Sequence, residues 1–378
     1  MRFTSVRLEN WRNFRQADVS LELRTFLVGP NASGKSNFLD SFKFLRDVAS
    51  VGGGLQDAVR RRGGVSRIRS LAARKQPDIA IRVDVGTSEN PRVWRYELAF
   101  SQDTRKRAVL KEEQVWSGDK LIFERPDSFD ASDPERRTQT SLEQVNLNRD
   151  FRDLAEFFAA VRYLHIVPQL IREPDRSVGR PNDPFGGDFL DQVASTPKKT
   201  RDARLKKILG VARVAVPQLE ELRLEADAKG AWHLIGRYQH WRPHGAWQNE
   251  HDLSDGTLRL FGLLWAALET GGPLLLEEPE LSLHPEVVRR VPQMFARIQR
   301  RLGRQFIVST HSTELLHDRG IGLDEVLLLQ PAAEGTAVRP AEDFLEVREL
   351  LAGGLSVGEA VIPRTRPANV DQLALFNG

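Results

Sequence analysis

The chain has no cysteine, only two methionines and only three tyrosines in 378 residues. Without cysteine there is no disulfide framework, no zinc ribbon and no thiol nucleophile. Two methionines rule out a Met-rich adaptable binding surface. No apolar run reaches the ~18 residues that read as a membrane span, and the opening MRFTSVRLEN lacks the apolar core of a secretory signal. A soluble cytoplasmic protein, with no membrane partner, is therefore expected. Charge of one sign is also scarce: the net charge is +3, too small to argue for nucleic acid by itself. Its makeup, 44 Arg against 11 Lys, suits bidentate contacts with phosphate or carboxylate, and it follows equally from a GC-rich genome. The length and the 40% apolar content allow a sizeable core in two or three domains, or in one elaborated domain.

Residues 1–28 read as two short strands around a turn, the second being Arg24–Val28. A helix over about 35–48 follows a Gly-rich turn, and strands are expected at 78–86, 93–100 and 109–116. Residues 126–148 are polar with few aromatics and read as a mobile excursion. Residues 172–188, rich in Pro and Gly, read as an irregular loop, followed by a basic helix at about 200–210 and a hairpin of 219–225 with 232–238. In the final third, apolar strands alternate with helices, which predicts an α/β sheet with parallel character.

Gly29-Pro30-Asn31-Ala32-Ser33-Gly34-Lys35-Ser36 matches G-x-x-x-x-G-K-[ST] between a predicted strand and a predicted helix. Glycines let backbone amides curl around a β-phosphate, and the helix N-terminus adds partial positive charge. Lys35 suits the β- and γ-phosphates, the Ser36 hydroxyl suits Mg²⁺, and Asn37 completes the loop. ATP and Mg²⁺ are the expected ligands. Leu274-Leu275-Leu276-Glu277-Glu278 is an apolar strand ending in two acids, a Walker B arrangement. Glu277 would hold Mg²⁺ and Glu278 would be the general base for the attacking water. His311 follows the apolar strand 306–310, and a polar group at the C-terminal edge of a neighbouring strand can sense a γ-phosphate.

Four motifs occur in order: the phosphate loop, Leu253-Ser254-Asp255-Gly256-Thr257, the run Glu277-Glu278-Pro279-Glu280-Leu281-Ser282-Leu283-His284-Pro285, and Ser309-Thr310-His311-Ser312. Together they resemble the ABC-type ATPase heads of the SMC, RecF and OLD group, over about residues 1–330. The resemblance implies a P-loop NTPase fold of ABC-ATPase head type, a mixed sheet lobe plus a helical lobe. It implies a nucleotide-binding lobe at 1–120 and 262–330, an inserted mainly helical lobe at 121–261 ending in the signature motif, and a C-terminal extension at 331–378. It further implies a homodimer with ATP sandwiched between heads. Ser254, Asp255, Gly256 and Thr257 would meet the γ-phosphate held by the opposite subunit, although a Ser at that place is also an ordinary helix cap. Leu281–Pro285 resembles the loop that crosses the dimer seam. Gln169 is the candidate Q-loop glutamine and a further Mg²⁺ ligand. Arg12-Asn13-Phe14 is the candidate adenine contact, with a purely structural Phe14 as the alternative.

The pattern departs from the family in three places. Ala32 replaces a common glycine, which is tolerable if its φ is negative. Asp255 stands where transporter heads carry a second glycine, and Glu277 replaces the usual Walker B aspartate. Between Asn37 and Leu253 there are no sustained heptads, so no coiled-coil rod is expected. Only 67 residues follow His311 and they hold no Asp-x-Asp pair, so any effector nuclease or toxin is expected on another chain. The run Pro279-Glu280 with His284-Pro285 argues against a membrane transporter subunit. Genome maintenance or anti-phage defence is the setting the resemblance implies, with a nucleotide-gated scaffold as the competing reading.

Arg60, Arg61, Arg62, Arg67, Arg69, Arg74 and Lys75 cluster among glycines, and Lys206 and Lys207 lie on the basic helix. Both groups are candidates for DNA phosphates or are solvated basic surface. The C-terminus carries Gln372-Leu373-Ala374-Leu375-Phe376 after a Pro-Arg tether. Gln372, Leu373, Leu375 and Phe376 resemble the peptide by which bacterial proteins dock on the replication sliding clamp, the alternative being that the tail packs on its own head.

Overall fold

The computed structural model describes residues 1–73, 77–173, 176, 182–241 and 245–366. Its strands are β1 (Arg2–Trp11), β2 (Phe14–Ser20), β3 (Arg24–Val28), β4 (Ile79–Gly86), β5 (Trp94–Gln102), β6 (Ala108–Ser117), β7 (Lys120–Arg125), β8 (Arg162–Leu164), β9 (Leu219–Ala226), β10 (Trp232–Tyr238), β11 (Ala246–Gln248), β12 (Leu274–Glu277), β13 (Phe306–Thr310), β14 (Val326–Ala332) and β15 (Gly335–Pro340). The chain divides into two compact units. The first comprises Met1–Val161, Gly271–Leu275 and Arg304–Gly378, and the second Arg162–Thr270 and Leu276–Gly303. The chain passes from one to the other within β12.

In the first unit an antiparallel sheet runs β2-β1-β4-β5-β6-β7, and the mixed sheet runs β15-β14-β3-β13-β12. Residues 1–28 thus hold three strands, not two. The β1–β2 hairpin escapes a pattern reading because Asn10 (φ 54°), near the end of β1, and Arg12 (φ 53°), in the turn, take left-handed positions without glycine. β3 and β13 are parallel, pairing Phe26 with Val308 and Val28 with Thr310. Every residue of β3 and β13 is buried, and each carries a three-residue apolar run, Phe26–Val28 and Phe306–Val308.

The helix Lys35–Ala49 buries Phe38, Phe42 and Leu45 on one stripe and Phe44 and Val48 on another. Phe42 packs on Phe3 at 4.7 Å between ring centroids, and Phe44 on Phe100 at 5.5 Å and Trp11 at 5.2 Å. The fully buried Gln305 joins the two sheets. Its Oε1 accepts the Phe3 amide at 2.9 Å, and its Nε2 donates to Phe3 O at 2.7 Å and Glu22 O at 2.9 Å.

Residues 126–148 differ from the expected mobile excursion. They fold as two short helical turns over β6 and β7, Ser128–Ser132 with an Asp127/Asp130 capping box and Pro134–Thr138. Their polarity is satisfied internally. Arg125, 1% exposed, donates to Asp130 at 2.9 and 2.6 Å and to the carbonyls of Gln139 and Arg136 at 3.1 and 2.9 Å. Glu113, also buried, accepts the Ser141 amide at 2.8 Å and the Tyr96 hydroxyl at 3.0 Å.

The second unit contains the sheet β11-β10-β9 and the helices Pro168–Arg172, Phe189–Ser195, Lys198–Ala215, Asp255–Leu268 and Val291–Leu302. Asp255–Leu268 is its spine: from Thr257 to Ala267 every residue is buried. Trp265 meets Phe189 edge-on at 6.4 Å. Among the described residues no helix is long and apolar enough to cross a membrane.

The Arg125 guanidinium holds the Asp130 carboxyl well below the usual carboxylate range. Asp130 thus stabilises the fold at neutral pH, and that contribution is lost as the pH falls below the unfolded-state value of about 4. Arg125→Ala leaves the buried Glu113 without its cation and Asp130 with Arg136 alone, at 3.4 Å. It is expected to cost about 3–5 kcal/mol, read as a lower urea midpoint at unchanged slope, and to flatten the acid limb of the stability profile.

Candidate functional site

β3 delivers the chain at Val28 into the phosphate loop, and the helix restarts at Lys35 with Gly34 at its N-cap (φ 96°) and no side chain capping it. The first-turn amides are therefore left for a ligand rather than for a cap. A Cβ at Gly34 would strike the Asn13 side chain, and one at Gly29 would strike Leu329 O and Ser33 Oγ. Ala32 has φ 62°, so the negative φ that would make the replacement tolerable is not met: the alanine sits in the left-handed region that favours glycine. Lys35, 7% exposed, directs Nζ to the carbonyls of Gly29 at 3.0 Å and Pro30 at 3.1 Å. Ser33 Oγ and Ser309 Oγ are buried and lack a hydrogen-bond partner among the described residues. A cradle that no Cβ can enter, uncapped amides, an ammonium and orphaned hydroxyls fit a triphosphate with its magnesium. Asn31 lies in the loop, and Ser36 and Asn37 lie in the first turn of the helix.

Asn13 clamps this loop from outside. Its Nδ2 donates to Ser33 O at 2.9 Å and Thr336 Oγ1 at 2.6 Å, and its Oδ1 accepts from Asn37 Nδ2 at 2.8 Å. Arg12 pairs with Asp40 at 3.2 Å and donates to Arg67 O at 3.2 Å. Phe14 is 0% exposed and sits edge-on to Phe38 at 6.0 Å. It has no face left for a base, so the adenine assignment is corrected there to core packing. His311 follows Thr310, whose β13 register sets it opposite Val28, immediately before the loop.

In the second unit Ser254 is the N-cap of Asp255–Leu268, accepting the Thr257 amide at 3.2 Å. A Cβ on Gly256 would collide with Ser282 O, so that glycine is required for the close approach of the 278–285 run. Glu278 (φ 45°) and Ser282 (φ 62°) bend this run through left-handed turns. Gln169 is exposed on Pro168–Arg172 and donates to Asp255 Oδ2 at 3.1 Å. Arg172 completes the grip, with Nη1 2.6 Å from Asp255 Oδ1 and Nη2 donating to Leu253 O at 2.6 Å. Glu277 ends β12 with its carboxylate hydrogen-bonded to the Tyr163 hydroxyl, and its carbonyl lies 3.3 Å from His165 Nδ1.

Sequence reasoning missed Tyr163, Arg172 and Arg259, none of which falls in a motif. Arg259, 6% exposed, has Nε and Nη1 without partners among the described residues. Burial pushes its pKa down, against the opposing pull of Asp255, Glu280 and Glu278.

The basic cluster is less available than its composition implies. Arg60 and Arg61 are exposed and pair with Asp57, and Arg67 and Arg69 are exposed. Arg62 is corrected out of the surface set: it is 9% exposed and pairs with Asp40 at 2.8 Å and Asp47 at 3.0 Å. Lys206 and Lys207 are exposed on Lys198–Ala215. Arg74, Lys75, Gln372, Leu373, Leu375 and Phe376 lie outside the described residues.

A strand–loop–helix shaped for a triphosphate, on a parallel strand pair that also presents His311, defines a P-loop ATPase head of the ABC, SMC-like type. The profile of the family described as "AAA domain, putative AbiEii toxin, Type IV TA system" matches residues 24–317, and the chain belongs to that family. Among solved structures it is similar to an SMC head bound to the C-winged helix domain of ScpA. That match has 13% identity and a TM-score of 0.55, covering 90% of this chain and 97% of that one. It is also similar to the Smc head domain with an extended coiled coil bound to the C-terminal domain of ScpA from Pyrococcus furiosus. Here the identity is 12% and the TM-score 0.50, with 93% and 99% covered. At these identities the likeness is one of fold. Comparison with curated proteins gave no match.

The left-handed Ala32 makes a test of the loop. Ala32→Gly is expected to be neutral or stabilising by up to about 1 kcal/mol, and Ala32→Val to destabilise by more than about 1 kcal/mol, both read by thermal unfolding.

Proposed function

We propose that this chain is an ATP-hydrolysing head that dimerises around ATP and couples hydrolysis to DNA or to a partner effector, in genome maintenance or anti-phage defence. The observation that carries the reading is the uncapped start of Lys35–Ala49, whose amides converge with the Lys35 ammonium where a triphosphate is the fitting anion. Lys35 balances charge on the β- and γ-phosphate oxygens. Ser36 and Glu277, with Gln169, are the residues that would hold magnesium, which supplies further charge neutralisation. Glu278 accepts the proton of the attacking water while the bond from the γ-phosphorus to the bridging oxygen breaks, giving ADP and phosphate. His311 donates to the γ-phosphate. Ser254 and Gly256 of one copy bind the γ-phosphate held by the other, using the same helix N-terminus that Ser254 caps within the chain.

A second reading is a nucleotide-gated scaffold that holds a nuclease or toxin subunit encoded on another chain. The toxin–antitoxin wording of the family description favours it, as do the partner-bound heads among the structural relatives. Steady-state ATPase with and without DNA separates the two. Strong stimulation supports the DNA-coupled head, whereas no DNA effect with a co-purifying protein supports the scaffold.

Glu278→Gln is expected to lower turnover by about 10²–10⁴-fold and to accumulate an ATP-bound dimer, seen by size-exclusion chromatography with light scattering. Ser254→Arg is expected to abolish both dimer and turnover while leaving ATP binding intact. Wild-type turnover in Glu278→Gln removes the general-base assignment. A monomer with ATP and magnesium removes the dimeric one.

A further inference from the structure

Among the described residues, His233, Glu250 and His251 offer ligand atoms that all lie within 4.8 Å of one another, outside the nucleotide motifs. His233 stands on β10, and Glu250 and His251 lie just beyond β11. Glu250 is 1% exposed. Its Oε2 is held by the Leu234 amide at 2.9 Å, so Oε1 faces His233 Nδ1 at 2.7 Å and His251 Nε2 at 3.7 Å. On the other side of the His233 ring, Nε2 lies 3.7 Å from Asp227 Oδ2. Asp227 is itself fixed, its Oδ1 accepting the amides of Lys229 and Ala231 at 2.8 Å each.

Each ring nitrogen of His233 thus faces a carboxylate oxygen. A neutral imidazole has a single N–H, so the second carboxylate is satisfied either by a second ring proton or by a metal cation held between it and the ring. His251 brings a third lone pair to the Glu250 side, not to the Asp227 side. With Nε2–H turned to Asp227, Nδ1 becomes the ligating nitrogen. This is how an outer carboxylate fixes the tautomer of a metal-bound histidine.

We propose that His233 Nδ1, Glu250 Oε1 and His251 Nε2 bind a borderline divalent transition-metal cation, Zn²⁺ being the best matched, with water completing the coordination and Asp227 orienting His233. Two imidazoles and one carboxylate suit Zn²⁺, whereas Mg²⁺ and Ca²⁺ take oxygen ligands. The site is thereby distinct from the nucleotide's magnesium. The ligand pair now 2.7 Å apart must open to about 3.3 Å, the edge of a tetrahedron with bonds of ~2.0–2.1 Å. The exposed His251 closes from its side of the pair. An ion here ties β10 to the residues leading into Ser254, and so braces the entry to Asp255–Leu268.

The test uses full-length protein freed of any affinity tag and of metal by a chelator, titrated with Zn²⁺ by calorimetry and with Co²⁺ by visible absorption, in excess Mg²⁺. The expected result is one equivalent of saturable binding and a Co²⁺ spectrum that Zn²⁺ abolishes. His251→Gln and His233→Gln should weaken binding by tenfold or more, Asp227→Asn by about 10–100-fold, and the nearby control His240→Gln should leave it unchanged. His251 is exposed, so His251→Gln keeps the fold, checked by circular dichroism. Absence of saturable uptake at about 100 µM Zn²⁺, or equal affinity in wild type and His251→Gln, overturns the proposal. Neither readout depends on ATP turnover, so failure here is distinguishable from failure of the ATPase reading.

Discussion

The parallel ladder between β3 and β13 is the constraint on which the first unit depends. It aligns Val28 with Thr310, so the phosphate loop and the Ser309–Ser312 turn leave the same edge of the sheet. Parallel strands demand coverage of both faces, and all residues of both strands are buried, the charged Arg24 through its pairing with Glu325 at 2.7 Å. A slip of one residue would exchange the two faces on which one strand's side chains pack and carry Gly29 and His311 out of step. Gln305 guards against this by bonding across to Phe3 and Glu22.

Polar groups inside this unit are organised as paired sets, and each set fixes a segment that propensity alone leaves undecided. Asn13 joins the hairpin turn, the phosphate loop and β15 through Ser33, Asn37 and Thr336. Arg62 ties the Leu55–Arg61 helix to the helix after the loop through Asp40 and Asp47. Arg125 and Glu113 fasten residues 127–141 onto β6 and β7. Removing one partner from such a set costs far more than the set's net contribution, because a charge is then stranded in low dielectric.

The phosphate loop was legible in the sequence because binding a triphosphate restricts residue types at fixed spacing, and that restriction survives any fold-level ambiguity. The buried strands β3, β12 and β13 were legible because each carries a run of three apolar residues, Phe26–Val28, Leu274–Leu276 and Phe306–Val308, as buried strands do. Other features left no such mark. The left-handed conformation of Ala32 is imposed by the loop and not by alanine. The 126–148 segment reads as a mobile excursion because its polar groups are satisfied by side chains of β6 and β7, Glu113 and Arg125, that the pattern of the segment itself does not show. Arg62 reads as surface because its acids lie 22 and 15 positions away. His233 and Glu250, 17 positions apart, become neighbours only once β9, β10 and β11 pair.

The indole of Trp11 is wholly buried, edge-on to Phe44, and its Nε1–H donates to the carbonyl of Asn37 at 2.8 Å. Asn37 adjoins Ser36 in the first turn after the phosphate loop. Any adjustment of that turn alters the polarity felt by one shielded fluorophore. Trp241, 82% exposed, is open to iodide or acrylamide. A solution quencher that silences such exposed indoles leaves the shielded ones, among them Trp11 in the first unit and Trp265 in the second, and of these two Trp11 is the one whose indole is bonded to the turn after the phosphate loop.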